Sequence, residues 1–279
     1  MPDNRPATQS APLRIAQITD THLYADPDGL LLGLNTRRCL QAVIELALQA
    51  GAADLVVASG DLAHDGTAEA YQQVRDCFSR MNTPVCCLPG NHDEAGALRN
   101  HLNHGGFYSD RSHRLGAWQL LFLDSTVAGS EGGHLAATEL AELDAALRDR
   151  PDAPALVFLH HQPVAIGSRW LDSMKVDNPE ALFAVIDRHP QVRAVVWGHV
   201  HQAFEQRRNE VLLLATPSTC LQFLPGSERF AVEEIPPGYR WLDLYPDGSL
   251  KTGIERLPQM PGTIDPVSYT HLRAHETAD

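Results

Sequence analysis

The chain alternates short apolar runs with amphipathic segments, and this alternation constrains its fold more than any other feature. The runs are rich in Val, Ile and Leu, and each ends in a polar cluster. Runs of this length and composition are typical of strands covered on both faces. They are LRIAQIT (13–19), DLVVAS (54–59), PVCCLP (84–89), QLLFLD (119–124), ALVFL (155–159), AVVW (194–197) and EVLLLA (210–215).

Four segments between these runs have the periodicity of helices. Asn35 or Thr36 can cap the first, which is predicted to run to about Gln49, just before Gly51. Strands that alternate with helices indicate one α/β layered domain, predicted here to span residues 13–258. The other helices are predicted from a Thr67 cap to about Met81, from about Thr138 to Arg148, and from the Asn178-Pro179 pair to about Arg188.

Composition excludes some partners. The chain has 279 residues, of which 43% are hydrophobic, and a formal net charge of −13. It contains no basic run or stripe, so we expect it to bind no nucleic acid polymer. An anionic ligand would need a local source of positive charge, which a bound metal ion can supply.

The cysteines indicate a reducing compartment. Their number is five and they form no C-x-x-C pair. Cys86 and Cys87 are adjacent in a predicted strand, so their side chains should point to opposite faces. We expect reduced, buried thiols in a cytoplasmic protein. No apolar segment is long enough to span a bilayer, and no membrane association is expected.

Both ends of the chain differ from its middle. Residues 1–12 are polar and proline-rich, and they are predicted to form a disordered arm. Residues 267–279, VSYTHLRAHETAD, have no periodicity and are predicted to be a non-native or disordered tail. His271 and His275 in this tail are therefore excluded as ligands.

The polar clusters fall where predicted strands end, and in open α/β sheets ligands bind at that edge. Each cluster alone is an ordinary turn, but five of them at strand ends indicate one site. Their carboxylate, imidazole and amide groups favour Mn, Fe or Zn over Ca or Mg alone. The candidates are too many for one ion and suit two ions that share a carboxylate. They are Asp20, His22, Asp61, Asn91, His160, His199 and His201.

In order along the chain, these clusters read D-x-H, G-D, G-N-H-D, H and G-H-x-H. In this the chain resembles the calcineurin-like metallophosphoesterases over roughly residues 13–250. The resemblance implies a four-layer α-β-β-α sandwich of two mixed sheets flanked by helices, with a dinuclear metal site at the C-terminal strand ends. It implies two divalent ions, Fe or Mn, with Zn or Mg as alternatives. It assigns Asp20, His22 and His201 to one ion, Asn91, His160 and His199 to the other, and Asp61 to both.

The resemblance also assigns roles around the metals. His92 resembles the family's leaving-group histidine, and Asp93 is predicted to orient it. Asn91, His92 and His201 are predicted to contact the substrate. His161 follows a ligand and is expected to pack behind it. The remaining histidines of the domain are interpreted as surface residues or as residues whose rings make ordinary hydrogen bonds. They are His64, His101, His104, His113, His134 and His189.

Flanking segments narrow the resemblance to the bacterial class III cyclic-AMP phosphodiesterases. These segments are QITDTHL, LLGLNT, LPGNHD, ATPSTCLQF and EIPPGYRWLDLYPDGSL. The resemblance implies hydrolysis of the 3′-phosphoester bond of 3′,5′-cyclic AMP to 5′-AMP by a metal-bridging hydroxide, with His92 assisting the leaving oxygen. Residues 216–223 are either one wall of a nucleoside pocket or a plain loop.

Two other functions stay open. One is a different metallophosphoesterase, such as a glycerophosphodiesterase or a nucleotide phosphatase, because the same metal motif serves many esters. The other is a non-catalytic scaffold, against which the complete ligand set argues. A homodimer is also left open.

Overall fold

Two six-stranded mixed sheets pack face to face, and helices cover their outer sides. The computed structural model describes residues 11–265. The predicted tail and all of the predicted N-terminal arm except residues 11 and 12 lie outside the described residues. The four-layer α-β-β-α arrangement confirms the predicted fold class.

The strands of the described residues include all seven of the apolar runs. In chain order they are β1 (Leu13–Ile18), β2 (Leu30–Leu31), β3 (Leu34–Asn35), β4 (Leu55–Ser59), β5 (Val85–Leu88), β6 (Phe107–Tyr108), β7 (Ser112–Leu115), β8 (Trp118–Phe122), β9 (Ala155–Phe158), β10 (Val192–Trp197), β11 (Phe204–Arg208), β12 (Val211–Ala215), β13 (Gln222–Phe223), β14 (Val232–Glu233), β15 (Gly238–Leu244) and β16 (Leu250–Arg256).

The four predicted helices are present with nearly the predicted bounds. Asn35 caps the first by accepting from the Arg38 amide, and Thr67 caps the second through the Ala70 amide. A 3-10 turn, Ser79–Met81, extends the second helix to the predicted end. The helices are α1 (Thr36–Gln49), α2 (Ala68–Phe78), α3 (Ala95–His101), α4 (Ala137–Asp149), α5 (Arg169–Asp172) and α6 (Pro179–Ile186).

The topology brings the ends of parallel strands together. The first sheet has the order β16-β15-β1-β4-β5-β6, and the second has the order β11-β12-β10-β9-β8-β7. In the first sheet β1, β4, β5 and β6 are mutually parallel neighbours. In the second sheet β8, β9, β10 and β12 are parallel. Five of these strands, β1, β4, β5, β9 and β10, lead into the five polar clusters.

Three layers of buried side chains hold the sandwich together. The middle layer lies between the sheets and includes Ile15, Val57 and Phe158. One outer layer packs α1 and α2 on the first sheet, and the other packs α4 and α6 on the second. Because both faces of the central strands are buried, their sequences are apolar without alternation. All five cysteines are free and buried, as predicted.

Within residues 11–265, no helix combines the length and the apolarity that crossing a bilayer requires.

Candidate metal centre

The seven predicted ligands converge on the edge where the two sheets meet. Asp20 and His22 follow β1, Asp61 follows β4, and Asn91 follows β5. The second sheet supplies His160 after β9, with His199 and His201 after β10. All except Asn91 are buried, and their donor atoms form overlapping groups in which all atoms lie within 4.8 Å of one another.

Five of these residues have a left-handed backbone, which non-glycine residues rarely adopt. Their φ angles are 54° at Asp20, 46° at His22, 49° at Asp61, 64° at His199 and 47° at His201. Such conformations persist only where the surroundings fix them, and they are common at functional sites. Hydrogen bonds between loops fix these: the Asp20 amide donates to the Gly60 carbonyl at 3.0 Å, and the His22 amide donates to the Asp61 carbonyl at 2.9 Å.

Two of the motif glycines are required by close approach of the loops. A β-carbon on Gly90 would overlap the Asp61 amide nitrogen and carboxylate. A β-carbon on Gly198 would overlap Thr19 Oγ1 and would lie 2.7 Å from Asp20 Oδ2. The glycines before the ligands therefore leave room for the carboxylates that the neighbouring loops contribute.

Gly198→Ala is expected to displace the Asp20 carboxylate and to lower both metal content and stability. Inserting a carbon into a tightly packed site typically destabilises a protein by about 1–3 kcal/mol. Metal per chain and the melting temperature measure the effect. Gly132→Ala is the matched control, because the nearest atoms to its added carbon lie 3.6 Å away. Normal metal content in Gly198→Ala would contradict the packing argument.

The first group of donors is centred on His201. Its Nδ1 lies 3.0 Å from the Leu221 carbonyl oxygen, so we assign the ring proton to Nδ1. The Nε2 lone pair then faces His22 Nε2 at 3.2 Å and Asp20 Oδ1 at 3.3 Å. A carbonyl that fixes the tautomer of a histidine in this way is typical of metal ligands.

The second group is arranged in the same manner around His160. Its Nδ1 lies 3.1 Å from the Ser59 carbonyl oxygen, which leaves Nε2 facing Asn91 Oδ1 at 3.2 Å and Asp61 Oδ2 at 3.3 Å. Asp61 Oδ2 is also 3.8 Å from His22 Nε2, so this carboxylate lies between the two groups. His199 Nε2 is buried and has no hydrogen-bond partner among the described residues.

These contacts test whether metal ions fit the site. In the first group, the Nε2 lone pair of His201 faces His22 Nε2 at 3.2 Å and Asp20 Oδ1 at 3.3 Å, because the ring proton of His201 is assigned to Nδ1. Such an arrangement is repulsive unless cations lie between the acceptors. Mixed nitrogen and oxygen donors suit first-row divalent ions. The residues present fit two metal ions, one at each group.

The electrostatics of the cluster agree with this fit. Burial alone would lower the pKa of His160, but the carboxylates of Asp61 and Asp20 raise it to about 9. The two carboxylates therefore favour positive charge at this position, which a ring proton supplies without metal and a metal ion would supply in its place. Burial holds the pKa values of His22 and His199 well below the usual range, which keeps these imidazoles neutral. Neutral imidazole is the form that binds a metal ion.

His92 and Asp93 occupy different environments. The His92 side chain borders the cavity beside the ligands, and its amide donates to Asp61 Oδ1 at 2.9 Å. The Asp93 carboxylate accepts from the amides of Leu62, Ala63 and Gly90 at 2.9–3.1 Å. None of its hydrogen bonds within residues 11–265 goes to the His92 ring. The prediction that Asp93 orients the His92 ring therefore finds no hydrogen bond among these contacts and stays a prediction.

Two histidines outside the predicted ligand set also reach the site. His64 Nδ1 lies 3.2 Å from His22 Nδ1, and its ring stacks on His92 with 4.7 Å between centroids. His64 was interpreted as an ordinary histidine, although its position three residues after Asp61 in the same loop was a usable signal. His161 is buried, and its Nδ1 shares a 2.8 Å hydrogen bond with Ser125 Oγ. Its ring packs against the ring of His199.

A cavity of about 230 Å³ opens beside the predicted ligands. His22, Asp61, Asn91, His199 and His201 line one side of it. Most of its remaining lining is apolar or aromatic, and residues from the 216–223 segment contribute to this apolar side. This segment is therefore part of a cavity wall.

The arrangement matches a known family. The family described as "Calcineurin-like phosphoesterase" matches residues 13–203, which include all seven predicted ligands. The chain belongs to the calcineurin-like phosphoesterases. The family is one of phosphoester hydrolases, and the two-ion fit of the site agrees with that chemistry.

Curated relatives cover almost the whole chain. A 3′,5′-cyclic adenosine monophosphate phosphodiesterase from Pseudomonas aeruginosa is 38% identical over 94% of this chain and 96% of its own. A 3′,5′-cyclic-nucleotide phosphodiesterase from Nostoc is 41% identical over 90% of this chain and 94% of its own. Among solved structures, a dimetal phosphatase from Danio rerio shares the fold, with a TM-score of 0.62, 14% identity and coverage of 88% of this chain and 99% of its own.

Removing the metal ions is expected to lower the melting temperature. Ligands that bind only the folded state stabilise it, by about 2.7 kcal/mol at a hundred times the dissociation constant. Without cations, the buried carboxylates and imidazoles also lose the charge that their arrangement favours. Differential scanning fluorimetry before and after treatment with a chelator measures the shift, and readdition of Mn²⁺ should restore it. A melting temperature that is independent of metal would contradict the proposed centre.

Proposed function

We propose that this chain hydrolyses the 3′-phosphoester bond of 3′,5′-cyclic AMP to give 5′-AMP. The observation that carries this proposal is the likeness, over 90% or more of this chain, to relatives named as cyclic nucleotide phosphodiesterases. The cavity supports it, because a polar side that suits a phosphate adjoins an apolar side that suits a nucleoside.

The seven ligands would hold two ions at the phosphate end of the cavity. Asp20, His22 and His201 would hold one ion, Asn91, His160 and His199 the other, and Asp61 would contact both. Two bound divalent ions would supply positive charge to the phosphate and would activate a water molecule at neutral pH. The carbonyls of Ser59 and Leu221 hold the ligand tautomers, so the donor atoms are already oriented before substrate enters.

His92 is the proposed proton donor to the leaving 3′-oxygen. Its ring lies at the cavity, and its amide is tied to the Asp61 carboxylate, which fixes the ring close to the phosphate end. The rings of His92 and His22 meet edge-to-face with 4.9 Å between centroids, and one face of the His92 ring stacks on His64. Asn91, His92 and His201 are the proposed contacts to the substrate.

Several finer features belong to the same proposal. The ions are proposed to be Fe or Mn, with Zn or Mg as alternatives, because the donors mix imidazole with carboxylate. The buried, unpaired cysteines support a cytoplasmic location. A homodimer stays a prediction, which the molar mass in solution would test.

A panel of substrates tests the function directly. The chain, stripped of metal and reloaded with Mn²⁺ or Fe²⁺, is given 3′,5′-cyclic AMP, a glycerophosphodiester and a 5′-nucleotide. We expect cyclic AMP to be the best substrate and 5′-AMP to be its product in chromatography. Faster turnover of either of the other esters would favour a different phosphoesterase. Full metal loading without turnover of any ester would indicate a scaffold.

A further inference from the structure

The apolar side of the cavity contains three aromatic rings that contact one another. The centroid of Trp170 is 4.9 Å from that of Phe223 and 5.4 Å from that of Phe230, and both contacts are edge-to-face. Phe223 and Phe230 are 5.5 Å apart in the same geometry. All three residues line the cavity and are only partly buried. We call them the aromatic wall.

The aromatic wall is attached to the metal centre. The Phe223 ring stacks on the ring of His201, with 4.2 Å between centroids and 9° between planes. The Leu221 carbonyl accepts from His201 Nδ1, so the same short segment fixes a ligand and supplies part of the wall. The distance between the metal centre and the aromatic wall is therefore fixed by one short segment, residues 221–223.

Most of the other residues on this side are apolar. Glu131 borders this surface, whose other apolar residues are Leu31, Leu32, Leu171, Met174 and Leu221. Such a surface offers large faces and few hydrogen-bonding groups. It suits a flat, unsaturated ring system better than the polyol of a glycerophosphodiester, because the polyol would lose hydration without regaining hydrogen bonds.

We propose that the aromatic wall binds the nucleobase of the substrate, holding it mainly by stacking and apolar contact. This inference rests on the proposed function, since it requires a phosphate at the ligands and a base joined to it through ribose. Aromatic side chains recognise bases by their faces, which every base has. The wall thus distinguishes nucleotide esters from esters without a base.

The test compares two substrates that share the scissile ring. One is 3′,5′-cyclic AMP. The other is methyl riboside 3′,5′-cyclic phosphate, in which a methoxy group replaces the base. We expect Trp170→Leu and Phe230→Leu to lower kcat/KM for cyclic AMP by about 5- to 100-fold, mostly through KM, as loss of base stacking does. The substrate without a base should be nearly unaffected.

Controls separate stacking from folding. Tyr108→Leu removes an aromatic ring that is 38% exposed outside the cavity, and it should alter neither substrate. Metal content and melting temperature identify a variant that is misfolded. If one of the two wall variants misfolds, the other one decides between stacking and no stacking. Equal losses on both substrates in a folded, metal-loaded variant would overturn the proposal, as would no loss on either.

A binding measurement distinguishes failure of this inference from failure of the proposed function. Calorimetry of the Mn²⁺-loaded chain compares 5′-AMP with ribose 5-phosphate. Trp170→Leu should weaken 5′-AMP by about 5- to 100-fold and leave ribose 5-phosphate unchanged. If cyclic AMP is not hydrolysed but this difference is seen, the function is wrong and the base site stands. If cyclic AMP is hydrolysed and the difference is absent, the base site is wrong.

Discussion

Asp61→Asn is expected to abolish most turnover of cyclic AMP and to release metal from the chain. The Asp61 carboxylate is 3.3 Å from His160 Nε2 and 3.8 Å from His22 Nε2, so it contacts both donor groups. The substitution removes one negative charge from the neighbourhood of both ions. Bound metal ions typically stabilise the charge of such a transition state by several kcal/mol. We therefore expect the turnover rate to fall about a thousandfold or more.

Elemental analysis of metal per chain, beside the rate, measures this effect. Asp76→Asn is a matched control, because it removes the carboxylate of an exposed residue on α2 and should change neither quantity. An Asp61→Asn protein that keeps two ions and normal turnover would exclude the shared position of this carboxylate.

His92→Ala is expected to slow the substrates with poor leaving groups far more than the others. The 3′-oxygen of ribose leaves as a basic alkoxide and needs a proton, whereas a nitrophenolate leaves without one. General acids typically contribute about 10²- to 10⁴-fold, so cyclic AMP hydrolysis should fall on that scale. Hydrolysis of an aryl phosphodiester should fall much less. The metal content should not change, because His92 belongs to neither proposed ligand set.

The leaving-group series with metal analysis checks this role. His134→Ala serves as the control, since its ring pairs with Asp177 on the surface and does not line the cavity. Equal losses on the alkyl and aryl substrates would refute the acid role. Loss of an ion would instead place His92 among the ligands.

Much of the site could be predicted from the sequence, because its residues follow strands that are easy to recognise. β1, β4 and β5 are buried on both faces, so they appear as apolar runs that stop where Asp20, Asp61 and Asn91 begin. The motif glycines also carried information. Their close approach to neighbouring carboxylates, as at Gly90 and Gly198, explains why glycine stands beside the ligands at these two positions.

Other features depend on contacts between distant segments and leave little trace in local patterns. The aromatic wall combines α5, β13 and the segment before β14, and no period in the sequence links these. The sequence pattern does not reveal the β15–β16 hairpin as two strands, because β16 is only partly buried and polar residues interrupt it. His64 reaches His22 only because hydrogen bonds join the loops after β1 and β4.

The role of Asp93 illustrates the same limit. A carboxylate beside a histidine is a reasonable partner for its ring, and the sequence offered no other. In the structure, the amides of Leu62 and Ala63 from the neighbouring loop turn toward this carboxylate. Which backbone amides approach a carboxylate depends on contacts between loops, and a local sequence motif does not show these contacts.

The central claim is that two ions held by the seven ligands allow this chain to convert cyclic AMP to 5′-AMP. The most direct test is a titration of the metal-stripped chain with Mn²⁺, in which bound metal and the rate of 5′-AMP formation are followed together. We expect no turnover without metal and a rate that reaches its maximum when two ions are bound per chain. A full rate with a single bound ion, or 3′-AMP as the product, would contradict the account.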